Sequence, residues 1–275
     1  MRYILIALTA FLLAACGGGG GGSGSDPAPL PPANESAGVY LGSATLGDAV
    51  VPATVLLLRD DSWWVIYNDA ANNNLVHLYA RGNGTGSNGS YTTTGVGPSR
   101  NQGGGMFDRQ FSLLTGNYVA GSSFRGTEGF AVTAVPLASI SATYVAGSAA
   151  SASLDTVAGS YTATARRSPT GFHAPENVPF GTTTLLISGG TFSFNDSTYP
   201  GNASQPAGTC PVTGSISPRP NENVYNVRLT NTCDPFPDTS STGIAWFNPA
   251  TRRLTMVGFT AGFTTYGFSL VGTKQ

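Results

Sequence analysis

Leu56-Leu57-Leu58-Arg59-Asp60-Asp61-Ser62-Trp63-Trp64-Val65-Ile66-Tyr67 holds two short apolar runs on either side of a polar pair. Both runs are bounded by turn-forming residues and rich in branched or aromatic side chains, so they read as strands. Asp60-Asp61 sits where a two-residue hairpin turn folds the second run back on the first. Large side chains at consecutive positions face opposite sides of a strand. One set therefore cannot lie inside a simple barrel. Trp64 and Ile66 are the outward set, and Trp246, in Ile244-Ala245-Trp246-Phe247, poses the same question further on.

The stretch returns later as Leu185-Leu186-Ile187-Ser188-Gly189-Gly190-Thr191-Phe192, with Gly189-Gly190 at the turn. Gly38-Val39-Tyr40-Leu41-Gly42-Ser43-Ala44 is likewise answered by Gly159-Ser160-Tyr161-Thr162-Ala163-Thr164-Ala165. Thr85-Gly86-Ser87 matches Thr213-Gly214-Ser215, and Gly129-Phe130-Ala131-Val132 is set against Gly267-Phe268-Ser269-Leu270. The order is kept and the offset stays between 121 and 138, which points to two copies of one unit. Trp64, Ile66 and Trp246 then either pack against the other copy or form an exposed apolar patch that marks a partner.

Alternation recurs in Val224 to Leu229 and in Tyr266 to Val271, the mark of a sheet with one buried face. No stretch sustains a helical period. Strands are expected near 38–46, 53–59, 62–68, 75–82, 89–95, 107–114, 117–125 and 128–136 in the first unit. In the second they fall near 158–166, 182–188, 191–196, 210–217, 223–231, 242–247, 252–260 and 264–273. The expected fold is all-β: two tandem antiparallel units of about eight strands, each closing as an up-and-down barrel, with a β-sandwich as the alternative. The expected division is 1–15 leader, 16–36 tether, 37–138 first unit, 139–157 Ala/Ser-rich connector and 158–275 second unit.

The leader carries Met1-Arg2, an apolar run of about 13 residues, and Leu13-Ala14-Ala15-Cys16. A helix that spans a bilayer needs about 20 apolar residues, so this is a cleaved signal and not an anchor helix. Leu-Ala-Ala-Cys resembles the lipobox of bacterial lipoproteins. That resemblance implies that Cys16 becomes the first residue of the mature chain and carries acyl chains such as palmitate, several of which anchor stably. Residues 17–25 are almost pure Gly and Ser, followed by Pro27, Pro29, Pro31 and Pro32. Such a segment is a flexible and then stiffer tether, about 25 Å long if fully flexible.

Charged residues make up 10% of the 275, and the formal net charge is -1, which gives no footprint for nucleic acid. With Cys16 set aside, Cys210 and Cys233 remain in a compartment that permits disulfides. A bridge between them would contribute roughly 3 kcal/mol. No metal site or cofactor is expected: His77 and His173 are isolated, and no CxxC or HxxxH occurs. His77 reads as an ordinary strand residue. His173 lies with Phe172 and Phe180 in a long loop, 166–181, that can touch a partner or peg onto the barrel. Asp60-Asp61 suits a turn better than a catalytic carboxylate pair. Arg166-Arg167 and Arg252-Arg253 are solvated pairs or anion contacts.

The body also resembles a set of uncharacterised proteobacterial surface lipoproteins, through Gly159-Ser160-Tyr161 and the closing Gly267-Phe268-Ser269-Leu270-Val271-Gly272-Thr273-Lys274. More distantly, paired β units on a Gly-rich tether are similar to surface lipoproteins of the transferrin-binding type. The units here are much shorter and lack a handle region, so no ligand residue transfers. These features together imply a non-enzymatic binding or surface-interaction module. It would be lipid-anchored at the outer membrane of the bacterial envelope and hold an unknown protein or envelope ligand through Trp64, Ile66, Phe172, His173, Phe180 or Trp246. The competing readings are an inhibitor or immunity lipoprotein that plugs an envelope-targeting enzyme with loop 166–181 or 99–109, and an envelope hydrolase.

Overall fold

The alternating pattern folds as two antiparallel meanders, each closed on itself. The computed structural model describes residues 34–72, 75–95, 97–101, 111–130, 136–167, 181–196, 207, 210–231, 240–260 and 263–275. The first meander runs β1 (Gly38–Leu46), β2 (Ala49–Leu57), β3 (Ser62–Asp69), β4 (Leu75–Ser87), β5 (Ser90–Gly95), β6 (Gly97–Asn101), β7 (Phe111–Val119), β8 (Ser123–Phe130) and β9 (Pro136–Tyr144). β9 returns to pair with β1 and seals the barrel. β5 and β6 share one place between β4 and β7, each pairing with both, so nine segments fill eight strand positions.

A four-residue helix, Leu154–Val157, leads into the second meander. That barrel comprises β10 (Gly159–Arg167), β11 (Gly181–Ser188), β12 (Thr191–Asp196), β13 (Cys210–Pro218), β14 (Tyr225–Asn231), β15 (Ser240–Asn248), β16 (Arg253–Thr260) and β17 (Phe263–Lys274). β17 pairs with β10 and closes it. Closure leaves neither sheet with a free edge.

The duplication extends to single hydrogen bonds. Tyr40 donates its hydroxyl proton to the carbonyl of Ser36 at 2.7 Å, and Tyr161 donates to that of Val157 at 2.6 Å. Both tyrosines sit inside their barrels, each opposite a residue of the closing strand, Tyr144 and Lys274 respectively. The turns after β2 and β11 also answer each other: Asp61 accepts from the Gly84 amide at 2.7 Å and Gly190 from the Ile216 amide at 2.9 Å.

These two turns differ by one residue. Gly189 and Gly190, with φ of 56° and 80°, form a two-residue loop between the paired Ser188 and Thr191, as expected. In the first barrel the loop is Arg59-Asp60-Asp61, because the Leu58 amide bonds the Ser62 carbonyl at 2.9 Å. Asp61 takes the left-handed position at φ 62°. That is the three-residue hairpin with a bulge, not the expected two-residue turn.

Three apolar cores result. Inside the first barrel lie Tyr40, Val55, Trp63, Tyr67, Leu114 and Phe124. Tyr161, Leu185, Phe192, Tyr225, Phe247 and Leu270 are among those filling the second. The third lies between the barrels, where Val39, Leu56, Trp64 and Ile66 meet Ile244, Trp246, Phe259 and Val271. Full burial of one such side chain contributes about 1.5–3 kcal/mol. Tyr79 adds a hydrogen bond across this seam, donating to the Gly258 carbonyl at 2.8 Å.

Several expected boundaries shift. The last three strands of the first unit fall at 111–119, 123–130 and 136–144, so the barrel runs past 138 and β9 occupies the start of the expected connector. The counterpart of β17 is accordingly β9, and Gly129-Phe130 ends the strand before it. Cys210 opens β13 and is fully buried, whereas Cys233 lies outside the described residues.

The cleft between the barrels

The seam is apolar at its centre and opens on one side into a cleft of about 620 Å³. β3 and β4 of the first barrel supply Ser62, Trp64, Arg81 and Asn83; β13, β14 and β15 of the second supply Ser217, Asn226, Arg228 and Thr242. Strand alternation explains this composition. In Tyr79-Ala80-Arg81-Gly82, Ala80 turns into the first barrel, while Tyr79 and Arg81 turn out toward the second. In Val227-Arg228-Leu229 the apolar residues turn in and Arg228 stands exposed.

Gly82 makes the floor thin. A Cβ there would meet the Trp63 ring at 2.6 Å, so only glycine lets the indole pass under this backbone. Among the described residues the buried indole N–H of Trp63 has no hydrogen-bond partner.

Three arginines face the cleft in different states. Arg219 is fully engaged: it pairs with Asp60 at 2.9 Å and Glu222 at 2.5 Å, and donates to Asn226 at 2.9 Å. Glu222 also accepts from the backbone N–H of Arg59, whose side chain donates to the Asn221 carbonyl at 3.1 Å. The β2–β3 turn is thereby fastened to the second barrel. Partial burial pushes the Asp60 carboxyl up, but hydrogen bonds from Ser62 and Arg219 outweigh it and hold the group below its ordinary value.

Arg81 is different. Its guanidinium lies 5.6 Å from the Trp64 ring centre and 5.2 Å from that of Phe259, a geometry for cation–π attraction. Burial pulls its pKa below the ordinary value, though far from losing the charge at neutral pH. Among the described residues neither Arg81 nor Arg228 has a carboxylate partner. A second depression of about 460 Å³ shares Ser215 and Arg228 with the cleft and continues over β11 to β14 past Leu186 and Thr191.

A second polar feature lies inside the first barrel. Glu128 of β8 is wholly buried, and its Oε2 accepts the hydroxyl proton of Tyr67. Among the described residues its Oε1 finds no well-formed hydrogen bond, and the Ser112 hydroxyl lies close enough to act on the carboxyl. Desolvation dominates and lifts the carboxyl to about 7, against smaller downward pulls from the Tyr67 and Ser112 hydroxyls.

Of the residues singled out in the sequence, Trp64, Ile66 and Trp246 are 5%, 2% and 6% exposed. They form the seam with the other barrel and not an exposed partner patch, because each barrel interior is already filled from the opposite strand face. Trp64 still reaches the cleft wall beneath Arg81. Cys16, Phe172, His173, Phe180 and Cys233 lie outside the described residues. His77 is exposed on β4, and Arg252 donates to the Gln275 carbonyl at 2.6 Å. Arg81, Arg219, Arg228 and Glu128 were not singled out, although strand parity alone gives Arg228 an outward side chain.

No family model matches the chain, and no curated relative does. Among solved structures it is similar to a Nostoc punctiforme protein of unknown function from the DUF3598 family. Identity is 9%, the alignment covers 88% of this chain and 97% of that one, and the TM-score is 0.24. It is also similar to transferrin binding protein B of Haemophilus parasuis, at 9% identity over 82% of this chain and 53% of that one, with a TM-score of 0.27. At these values neither likeness bears on what this chain binds.

Proposed function

We propose that this chain is a non-enzymatic binding protein of the bacterial cell envelope, moored through acylated Cys16 and its Gly/Ser/Pro tether. Its binding surface is the cleft between the barrels. The observation that carries this reading is the cleft itself, an opening of about 620 Å³ walled by both barrels and lined with guanidinium, hydroxyl and amide groups. Its volume falls in the range of about 300–1,000 Å³ usual for small-ligand sites. The one carboxylate that lines it among the described residues, Asp60, is committed to Arg219 and Ser62 and is therefore a structural group, not an acid or base poised for chemistry.

Two experiments test the proposal. Cys16→Ser is expected to move the protein from the membrane fraction to the soluble one; retention in the membrane fraction would remove acyl anchoring. Immobilised full-length protein is expected to retain an envelope component that Ser217→Trp, which fills the cleft from an exposed strand position, no longer retains. Equal capture by both proteins would move the binding surface elsewhere.

A further inference from the structure

The cleft has a charge signature that narrows its ligand. Among the described residues three arginines and one carboxylate line it, a formal balance of +2 in a chain whose net charge is -1. Asp60 and, just outside the lining, Glu222 both pair with Arg219, which brings the local balance to +1. Among the described residues the uncompensated charges are those of Arg81 and Arg228, one on each barrel.

Arg81 is also held in place. Stacking against Trp64 and Phe259 restrains its planar fork, so little further ordering is needed when a ligand arrives. A guanidinium fork matches the paired oxygens of a carboxylate or phosphate. Beside the charges, Asn83, Ser217 and Thr242 present short hydroxyl and amide groups able both to donate and to accept, the pairing that sugar hydroxyls require, while Ser62 donates to Asp60 and the Asn226 oxygen accepts from Arg219. Within the cleft the large apolar side chains are covered, Trp64 at 5% and Ile244 at 2% exposed, whereas Leu186 in the second depression is 52% exposed. Arg228 and Ser215 then carry the surface on into the second depression, which makes an elongated groove instead of a closed hole.

We propose that this groove recognises an acidic oligosaccharide, seating its carboxylate or phosphate on Arg81 and Arg228 and its hydroxyls on the serine, threonine and asparagine side chains around them. The inference rests on the cleft being the binding surface. A neutral glycan leaves two guanidinium groups without a partner, and a compact inorganic anion leaves the hydroxyl-rich walls unused.

The test is calorimetric titration of the full-length chain in detergent with a glucuronic-acid-containing disaccharide, its methyl ester, a phosphorylated disaccharide and maltose. The two acids are expected to bind and the ester and maltose to bind at least tenfold more weakly, since hydrogen bonds to a charged group are each worth about tenfold or more. Arg81→Gln and Arg228→Gln should each weaken the acids by about tenfold. Arg228 is exposed, so its variant keeps the fold intact even if loss of the Arg81 stacking does not. Phosphate-only or carboxylate-only binding identifies the source of the anion within the proposal. Equal binding of acid and ester, indifference to both arginine variants, or no binding by any sugar overturns the ligand class. Ser217→Trp separates the two failures: neutral binding that it abolishes keeps the cleft and discards the charge, whereas binding that it leaves untouched discards the cleft as well.

Discussion

Trp64→Ala is expected to destabilise the protein by about 3–5 kcal/mol, the cost of removing a large buried aromatic and leaving a cavity. Trp64 sits in the seam where it meets the cleft, 5.9 Å from the Phe259 ring centre and under Arg81. It contributes nothing to the interior of the first barrel, which Trp63 fills from the other face of the same strand. The loss therefore falls on the coupling between barrels. A domain is stable by only about 5–15 kcal/mol, so weakening the seam this far should let the barrels melt separately. Scanning calorimetry should show one transition in the wild type and two, or one markedly broadened, in the variant. A loss below about 1 kcal/mol with a single sharp transition would mean that the seam does not join the barrels.

Stability should also fall as pH rises, because of Glu128. Its folded pKa of about 7 stands above the ordinary value of 4.5, so the folded protein holds this proton more tightly than the unfolded chain. The favourable contribution is complete below pH 4.5 and is lost progressively as pH climbs through 7. The difference corresponds to about 3 kcal/mol between the two ends of that window. Urea unfolding at pH 4 and pH 9 should register it, and Glu128→Gln should abolish it while raising stability at pH 9. A variant with the same pH dependence as wild type would place the titrating group elsewhere.

Much of the fold is legible in the chain because barrel strands must alternate. The two-sided run Trp63 to Tyr67 announced a second packing surface, and Gly189-Gly190 announced a tight turn. The errors have a common cause. Gly116 and Gly126 read as breaks between strands, yet they pair opposite each other in mid-sheet, where the Phe124 ring covers both. The real turn lies between them, from Val119 to Ser122 and inside the expected strand 117–125, with Gly121 at φ 64°. A glycine that admits a ring and a glycine that bends the chain look alike in sequence. Glu128 was within reach, since Phe124 and Phe130 share its parity on β8 and point inward. The cleft was not. Arg81 and Arg228 lie 147 positions apart, and only the docking of the barrels brings them to one opening.

The most direct measurement is NMR of the full-length chain in detergent, following backbone amides and arginine Nε–H signals while the saccharide fraction of an envelope extract is added. Shifts should gather on residues 62–64, 81–83, 215–219, 226–228 and 242–244, with the Nε–H groups of Arg81 and Arg228 moving most. Shifts confined to the outer strands or barrel mouths, with both arginine signals still, would contradict binding between the barrels.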